Sequence, residues 1–307
     1  GNDMGLPQKA IKTLGVDILR LWVAATDYRA EMNVSDEILT RTADSYRRIR
    51  NTARYLLANL AGFDPARDLL KPADMLALDR WALNRARSLH RDMVAAYDSF
   101  TFHVIYQRLH QFCAVDLGAF YLDVLKDRVY TTRADSRARR SAQTAMYHIL
   151  EAITRWMAPI LSFTAEEIWR HMPGPRGDSV FLETWYRIPE DVADELTGEA
   201  YWGQLLAVRE QVARELERLR VAGVIGSSLD AEVDAYCEPG LHAQLGGIGD
   251  ELRFVFITSY ARLHPLASRP AEAVETGMNG LWVKADPSAH TKCARCWHHR
   301  ADVGADA

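Results

Sequence analysis

The stretch VSDEILTRTADSYRRIRNTARYLLANLAGF, residues 34–63, predicts one long amphipathic helix. Ser35 is suited to cap its first turn, and Gly62 is suited to end it. The apolar side chains recur at helical spacing and share one face: Ile38, Tyr46, Ile49, Ala53, Leu56, Leu57 and Leu60. A helix with a single apolar face needs partners to cover it, so this stretch points to a helix bundle.

The flanking sequence supplies those partners. Further helices are predicted at about 17–28, 74–98, 101–130, 135–158 and 164–172. Thr164 and Glu167 have the spacing of a capping box at the start of the last of these. Five long amphipathic helices joined by short loops favour a mainly α bundle. MPGPRGDS, residues 172–179, carries two prolines and two glycines and ends the pattern.

A smaller α/β unit is predicted after the bundle. VFLETWYRIP (180–189) is typical of a strand or an extended connector, and a helix then runs through Leu205 to Leu219. LDAEVDAYC (229–237) and RFVFITSY (253–260) are predicted as strands, with the short helix PGLHAQLG (239–246) between them. Residues 265–280 are expected to be a linker, and GLWVKADPSA (280–289) is expected to form one more strand.

Composition limits the class of protein. The chain has 307 residues and a net charge of −4, so overall charge does not announce a nucleic-acid binder, yet Arg41–Arg54 and Lys126–Arg140 are locally basic. The four cysteines form no disulfide framework, and Cys113 and Cys237 are expected to be buried thiols. No signal peptide or long apolar span is visible, so we expect no membrane association and a cytoplasmic location.

CARCWHH, residues 293–299, contains the other two cysteines, Cys293 and Cys296. Two cysteines two residues apart are typical of half a structural zinc site, which usually has four protein ligands. By itself the motif is weak. His298 or His299 offers a makeshift completion, but such close spacing would strain the site.

Several stretches together resemble the C-terminal part of bacterial-type isoleucyl-tRNA synthetases, which are class I aminoacyl-tRNA synthetases. They are LGVDILRLWVAATDYRAEMNVSDEIL (14–39), DSYRRIRNTARYLLANLAGFDP (44–65), FYLDVLKDRVYT (120–131), ARRSAQTAMYHILEAITRWMAPILSFTAEEIW (138–169), the Trp-Tyr pair at 185–186 and CARCWHH. The resemblance covers essentially the whole chain. Valyl and leucyl enzymes share the architecture, but SYRRIRNTARYLL and the terminal Cys-x-x-Cys-Trp-His favour the isoleucyl type.

The resemblance implies a fold class and four segments. The fold would be mainly α, with the anticodon-binding bundle of class I synthetases followed by a small α/β unit and a truncated zinc-knuckle segment. Residues 1–31 would close the catalytic domain and contact the tRNA stem, and 32–178 would form the anticodon-binding bundle. Residues 179–265 would form a C-terminal junction domain, and 266–307 a linker with an incomplete zinc module.

The resemblance also implies function. The intact enzyme would join isoleucine to tRNA(Ile) using ATP and Mg²⁺ and hydrolyse mischarged valine, whereas this fragment would be catalytically inert. Gly1 and Asn2 match only the residues that trail the family's Lys-Met-Ser-Lys-Ser loop. Cys293 and Cys296 would be two of four zinc ligands in the intact enzyme, and here we expect them to bind Zn²⁺ weakly or not at all.

The expected partner is tRNA(Ile), bound by a monomer. The residues expected to contact its phosphates are Arg47, Arg50, Arg54, Arg133, Arg137, Arg139 and Arg140. The alternative for these arginines is a solvated face that forms salt bridges. Two alternatives remain for the whole chain: a free-standing RNA-binding or structural protein derived from such an enzyme, and a fragment of the related valyl enzyme. The loop VAGVIGSS (221–228) lacks a basic residue often present in relatives, which puts one contact in doubt.

Overall fold

The computed structural model describes residues 7–190, 196 and 198–305. The chain divides into two compact units. The first comprises 1–123 and 132–192, and the second comprises 124–131 and 193–307. No helix in the described ranges is both long enough and apolar enough to cross a bilayer.

The first unit is the helix bundle predicted from the sequence. Its helices are α1 (Pro7–Leu14), α2 (Val16–Ala25), α3 (Asp36–Asn59), α4 (Pro65–Asp68), α5 (Ala77–Asp98), α6 (Phe102–Gln111), α8 (Arg137–Met157) and α9 (Ser162–His171). Helix α7 (Leu122–Thr131) begins in this unit, and its residues 124–131 belong to the second unit. Helix α8 is buried along most of its length, including Ile149, Ile153 and Trp156. The expected cap of α3 is confirmed, because Ser35 Oγ accepts the Ile38 N–H at 3.1 Å.

The helix predicted at 101–130 is present, but it is not α-helical throughout. Between α6 and α7 the backbone widens into a π-helical segment, Phe112–Tyr121. Gly118 lies inside it, where an added Cβ would be 2.9 Å from the Cys113 carbonyl oxygen. Hydrophobic periodicity cannot distinguish a π turn from an α turn over ten residues, so the sequence predicted the helix but not its π-helical middle.

The capping box predicted for α9 is also wrong. The helix begins at Ser162, two residues before Thr164. Its first turn is capped from α2, because the Asp17 carboxylate accepts the backbone N–H of Thr164 at 2.8 Å and the Thr164 hydroxyl at 2.6 Å. The carboxylate of a distant helix therefore replaces the local cap.

The second unit is built on a mixed sheet. It contains α10 (Glu199–Val221), α11 (Pro239–Gly246), α12 (Leu252–Phe256) and the strands β1 (Ala231–Cys237), β2 (Tyr260–Pro265), β3 (Val274–Glu275) and β4 (Leu281–Pro287). The strand order is β2-β1-β4-β3. Strand β1 pairs parallel with β2 and antiparallel with β4, with Val233 opposite Ala285. The alternate residues Ala231, Val233 and Ala235 are buried, as the pattern predicted.

Three local predictions in or before this unit need correction. The first half of RFVFITSY is helical, since α12 runs to Phe256, Ile257 caps it in a left-handed conformation and β2 starts only at Tyr260. The expected linker 265–280 contains the short strand β3. VFLETWYRIP starts with a 3₁₀ turn, Val180–Leu182, and continues without a strand, so of its two predicted alternatives only the extended connector fits. In each case a short apolar run was compatible with more than one structure.

Candidate nucleic-acid interface

Three of the predicted arginines lie along one side of α3. Arg47, Arg50 and Arg54 are spaced three and four residues apart, so they form a row about 10 Å long at 1.5 Å per residue. Arg47 pairs with Asp44 at 2.6 Å, and its side chain remains 62% exposed. Arg50 approaches Glu167 of α9 only at 3.3 Å. Exposed pairs of this kind contribute little to stability, so both guanidinium groups can exchange partners at small cost.

A cavity of about 460 Å³ lies beside this row, between α2, α3 and α9. Tyr46, Arg47 and Arg50 line one wall, and the exposed ring of Phe163 lines another. Next to it, Arg50 and Arg54 line a second cavity of about 320 Å³. Cationic side chains beside an exposed aromatic ring are suited to bind phosphate and to stack on a base.

Hydrogen bonds hold the three helices around this cavity. The Tyr46 hydroxyl lies 2.9 Å from Thr164 Oγ1, which in turn donates to the Asp17 carboxylate. Asp17 and Thr164 are buried, so water does not compete with the hydrogen bonds that join α2, α3 and α9. The arginine row is therefore carried on helices whose relative positions are fixed within the unit.

The second arginine group surrounds the start of α8 and is more engaged with the protein. Arg137 donates to the Asp74 carbonyl at 2.7 Å, and Arg139 reaches the Thr132 carbonyl at 3.4 Å. Arg140 is largely buried between Asp68 and Gln143. Arg133 is the most exposed of the group and pairs with Asp135 at 3.1 Å.

The remaining charged cluster of the bundle is structural. Buried Glu151 accepts hydrogen bonds from Arg155 and Arg176, whose guanidinium groups lie over the ring of Trp169. Sequence analysis did not single out this cluster, because its members are scattered along 151–176. Nearby, burial lowers the pKa of His148 to about 4, and its Nδ1 lies 2.6 Å from the Tyr186 hydroxyl.

The two thiols of CARCWHH lie in a tight loop in the second unit. The Trp297 N–H donates to the Cys293 carbonyl at 2.9 Å, and the Cys293 N–H donates to the His298 carbonyl at 2.8 Å. Backbone N–H groups of Cys296 and Arg295 bond to the Cys293 sulfur and lower the pKa of that thiol. Such N–H donors stabilise a thiolate, which is the form that binds metals.

The donor set does not complete a zinc site. Among the described residues, no group of three His, Cys, Asp or Glu side chains is placed to hold a metal ion. His298 is buried and directs Nε2 to Asp127 at 3.0 Å, whereas His299 contacts Asp230. In the described part of the chain the two histidines therefore bond to carboxylates and do not join the two cysteines in one group.

The other two cysteines lie outside this loop, in the interior. Cys113 and Cys237 are buried free thiols, as expected, and burial raises their pKa values to about 12 and about 11. Gly1 and Asn2, matched to the end of a catalytic loop, lie outside the described residues.

The known proteins that this chain resembles are tRNA ligases. Residues 79–235 match the family described as the anticodon-binding domain of tRNA ligase. The chain is 64% identical to the isoleucine–tRNA ligase of Nitrosococcus oceani, 63% identical to that of Thioalkalivibrio sulfidiphilus and 58% identical to that of Methylococcus capsulatus. Each match covers 97% of this chain but 32% of the relative, so the chain spans about a third of these ligases. The chain belongs to the anticodon-binding domain family of tRNA ligases, and its similarity to isoleucine–tRNA ligases spans about a third of their length.

Proposed function

We propose that this chain binds the anticodon stem and loop of tRNA(Ile) for a ligase that attaches isoleucine to that tRNA. The observation that carries the proposal is the exposed arginine row of α3, on a bundle whose helices α8 and α9 lie in the matched anticodon-binding region. A tRNA stem offers mainly phosphates, while unpaired loop bases can be read through their edges and faces. We assign the phosphates to Arg47, Arg50 and Arg54.

The other arginines have smaller proposed roles. Arg133, at the exposed start of α8, is the second candidate for a phosphate. Arg137, Arg139 and Arg140 would contact RNA only at the cost of intramolecular hydrogen bonds. We therefore infer that Arg140 mainly supports the bundle, because removing a buried charge from its partners is expensive.

We assign the chemical steps of the reaction to other parts of the ligase. Activation of isoleucine with ATP and Mg²⁺, transfer to tRNA and hydrolysis of mischarged valine would belong to the part of the polypeptide outside these 307 residues. A hydrophobic pocket gains too little from one methylene to reject valine by binding alone, which is why a second hydrolytic site is expected. We also propose that the ligase is a cytoplasmic monomer.

We propose a zinc site only for a longer polypeptide that contains this chain. Cys293 and Cys296 would act as two of four ligands, with the others supplied from outside the described residues. A bound Zn²⁺ would fix a small module that has little core of its own. The preformed loop with its N–H donors to the Cys293 sulfur supports this assignment.

Titration of this chain with tRNA(Ile) tests the proposed recognition. We expect Arg47→Gln to weaken binding and to reduce the slope of log affinity against log salt by about one, because one phosphate contact is lost. Arg214→Gln is the matched control, since Arg214 is 64% exposed and pairs with Glu210 much as Arg47 pairs with Asp44.

Two outcomes would contradict separate parts of the proposal. If tRNA(Ile) with an altered anticodon binds as tightly as the native tRNA, the fragment does not read the anticodon. If Arg47→Gln and Arg214→Gln change the salt slope equally, the α3 row is not the phosphate-binding surface. Preference for a valine tRNA would favour the valyl assignment instead.

A further inference from the structure

We propose that a small polar groove in the first unit binds one unpaired guanine base of the tRNA and reads it through Asp116. The groove, called the α5–α6 groove below, has a volume of about 140 Å³ and lies between α5 and the end of α6 with the π-helical segment that follows. This inference rests on the proposed function, because the guanine would belong to the tRNA that the same unit binds. The lining residues that carry the argument are Arg85, Leu89, Asp92, Arg108, Phe112 and Asp116.

The size and the lining of the α5–α6 groove suit a single base. One water needs about 10–15 Å³, so the groove holds on the order of ten waters, which is room for one base but not for a helix of another protein. Its buried lining is apolar, since Leu89 is 7% exposed and Phe112 is 2% exposed. Its more exposed lining carries two arginines and two aspartates. A base has an apolar face and a polar edge, so it can contact both kinds of lining.

The π-helical segment decides where the Asp116 side chain points. An α-helix has 3.6 residues per turn, so Asp116 would lie past a full turn from Phe112, four residues before it. With i→i+5 hydrogen bonds the turn is wider, and Asp116 falls on the other side of Phe112. Because π-helical stretches are rare and occur frequently at functional sites, we infer that the position of this carboxylate serves binding.

The burial of Asp116 is only partly compensated within the protein. Its side chain is 19% exposed and pairs with Arg85 at 3.3 Å, whereas Asp27 and Arg29 form a bidentate pair at 2.8 and 2.9 Å. Burial outweighs Arg85 and raises the pKa of the Asp116 carboxyl above its ordinary value. A half-compensated carboxylate in a groove is expected to accept further hydrogen bonds from a ligand.

Guanine is the RNA base whose Watson–Crick edge fits this carboxylate. Its N1–H and N2 amino groups are neighbouring donors, and an ionised carboxylate only accepts hydrogen bonds. Adenine, cytosine and uracil each place an acceptor beside the donor, and that acceptor would face the carboxylate unfavourably. Arg108 is 55% exposed and approaches Asp92 only at 3.9 Å, so it can exchange this partner for the phosphate of the same nucleotide.

The α5–α6 groove and the arginine row of α3 belong to one packed unit. Thr52 lies between Arg50 and Arg54 in α3 and donates to the Cys113 carbonyl of the π-helical segment at 3.4 Å. Packing therefore sets the distance between the row that would bind phosphates and the groove that would bind a base.

Titration of the 307-residue chain with tRNA(Ile) tests the role of Asp116. Asp116→Asn removes a negative charge, which by itself would strengthen RNA binding, but it also removes the acceptor of both guanine donors. We expect the affinity to fall roughly tenfold, as for the loss of a bidentate contact to a base. Asp250→Asn is the control and should not lower the affinity, because Asp250 is 79% exposed and pairs with Arg253 at 3.2 Å. An unchanged or higher affinity of Asp116→Asn would overturn the inference and leave the proposed function standing.

Nucleotide probes test the groove without tRNA and without a variant. In an NMR titration of the 307-residue chain, we expect guanosine monophosphate to bind roughly tenfold more tightly than inosine monophosphate, which lacks the N2 amino group. Asp116→Asn should abolish this preference. Equal binding of the two nucleotides to the parent chain would contradict a guanine site. A preference for guanosine monophosphate in a chain that does not bind tRNA(Ile) would support the guanine site and contradict the proposed function.

Discussion

Single residues show most clearly what the sequence could and could not predict. The position of Arg47, Arg50 and Arg54 on one side of α3 follows from their spacing alone, and the structure places them there. The partner of Arg47, Asp44, also follows from spacing, but the partners of Arg50 and Arg140 do not. Glu167 pairs with Arg50 and Asp68 pairs with Arg140, and both carboxylates lie far away in the sequence. The difference between the accessible Arg50 and the buried Arg140 therefore could not be predicted from the sequence.

His148 gives a prediction at the same scale. Burial lowers its pKa from 6.5 to about 4. Between these pH values the unfolded chain binds a proton that the folded chain excludes, so stability is full above pH 6.5 and falls as the pH drops toward 4. The loss amounts to about 3 kcal/mol for this group.

Urea unfolding of the parent and of His148→Gln at pH 7 and pH 4.5 measures this effect. The free energy of unfolding should fall less between the two pH values in the variant, because the titrating group is gone. His171→Gln, at an exposed position, should retain the parent's pH dependence. The same pH dependence in all three proteins would show that His148 is not excluded from protonation by folding.

At the scale of elements, sequence patterns identified every long helix of the bundle but misplaced transitions. Thr164 and Glu167 had the correct spacing for a cap, yet Asp17 from α2 occupies that role. Ile257 has no property that predicts its left-handed conformation, so the end of α12 was missed. These errors share a cause, because tertiary contacts override local preference at the ends of elements.

The π-helical segment yields a prediction with an unusual sign. Replacing glycine by alanine inside a helix usually stabilises it by about 0.5–1 kcal/mol, and Gly203 of α10 should show this, because nothing lies within 4 Å of an added Cβ. At Gly118 the Cβ would lie 2.9 Å from the Cys113 carbonyl oxygen, so the backbone must shift. We expect Gly118→Ala to destabilise the chain by about 1–3 kcal/mol.

The melting temperatures of Gly203→Ala and Gly118→Ala test these opposite effects on stability. The melting temperature should rise for Gly203→Ala and fall for Gly118→Ala. A rise in both would mean that residues 112–121 convert to an ordinary α-helix at no cost.

At the scale of the whole molecule, the chain spans about a third of the ligases it matches. The fold class of the bundle was predictable because hydrophobic period and loop length specify it. The α/β unit was predictable only in outline, since its strands are short.

The zinc content of the 307-residue chain is expected to be low. The 307-residue chain offers two thiols for zinc, so we expect it to retain far less than one equivalent of Zn²⁺ after mild chelation. The full-length ligase should retain zinc under the same conditions, and Cys293→Ser should lower that amount. Stoichiometric zinc in the chelated 307-residue chain would show that a ligand set exists within it.

The bond between Asp17 and Thr164 has a consequence for synthesis on the ribosome. Its two residues are 147 positions apart, and α2 also buries Ile18 and Leu21. At 5–20 residues per second, roughly 7–30 seconds separate the translation of Asp17 from that of Thr164. During that interval the nascent α2 lacks the helix whose end it will cap. It is therefore a segment on which a chaperone or a protease can act before the bundle closes.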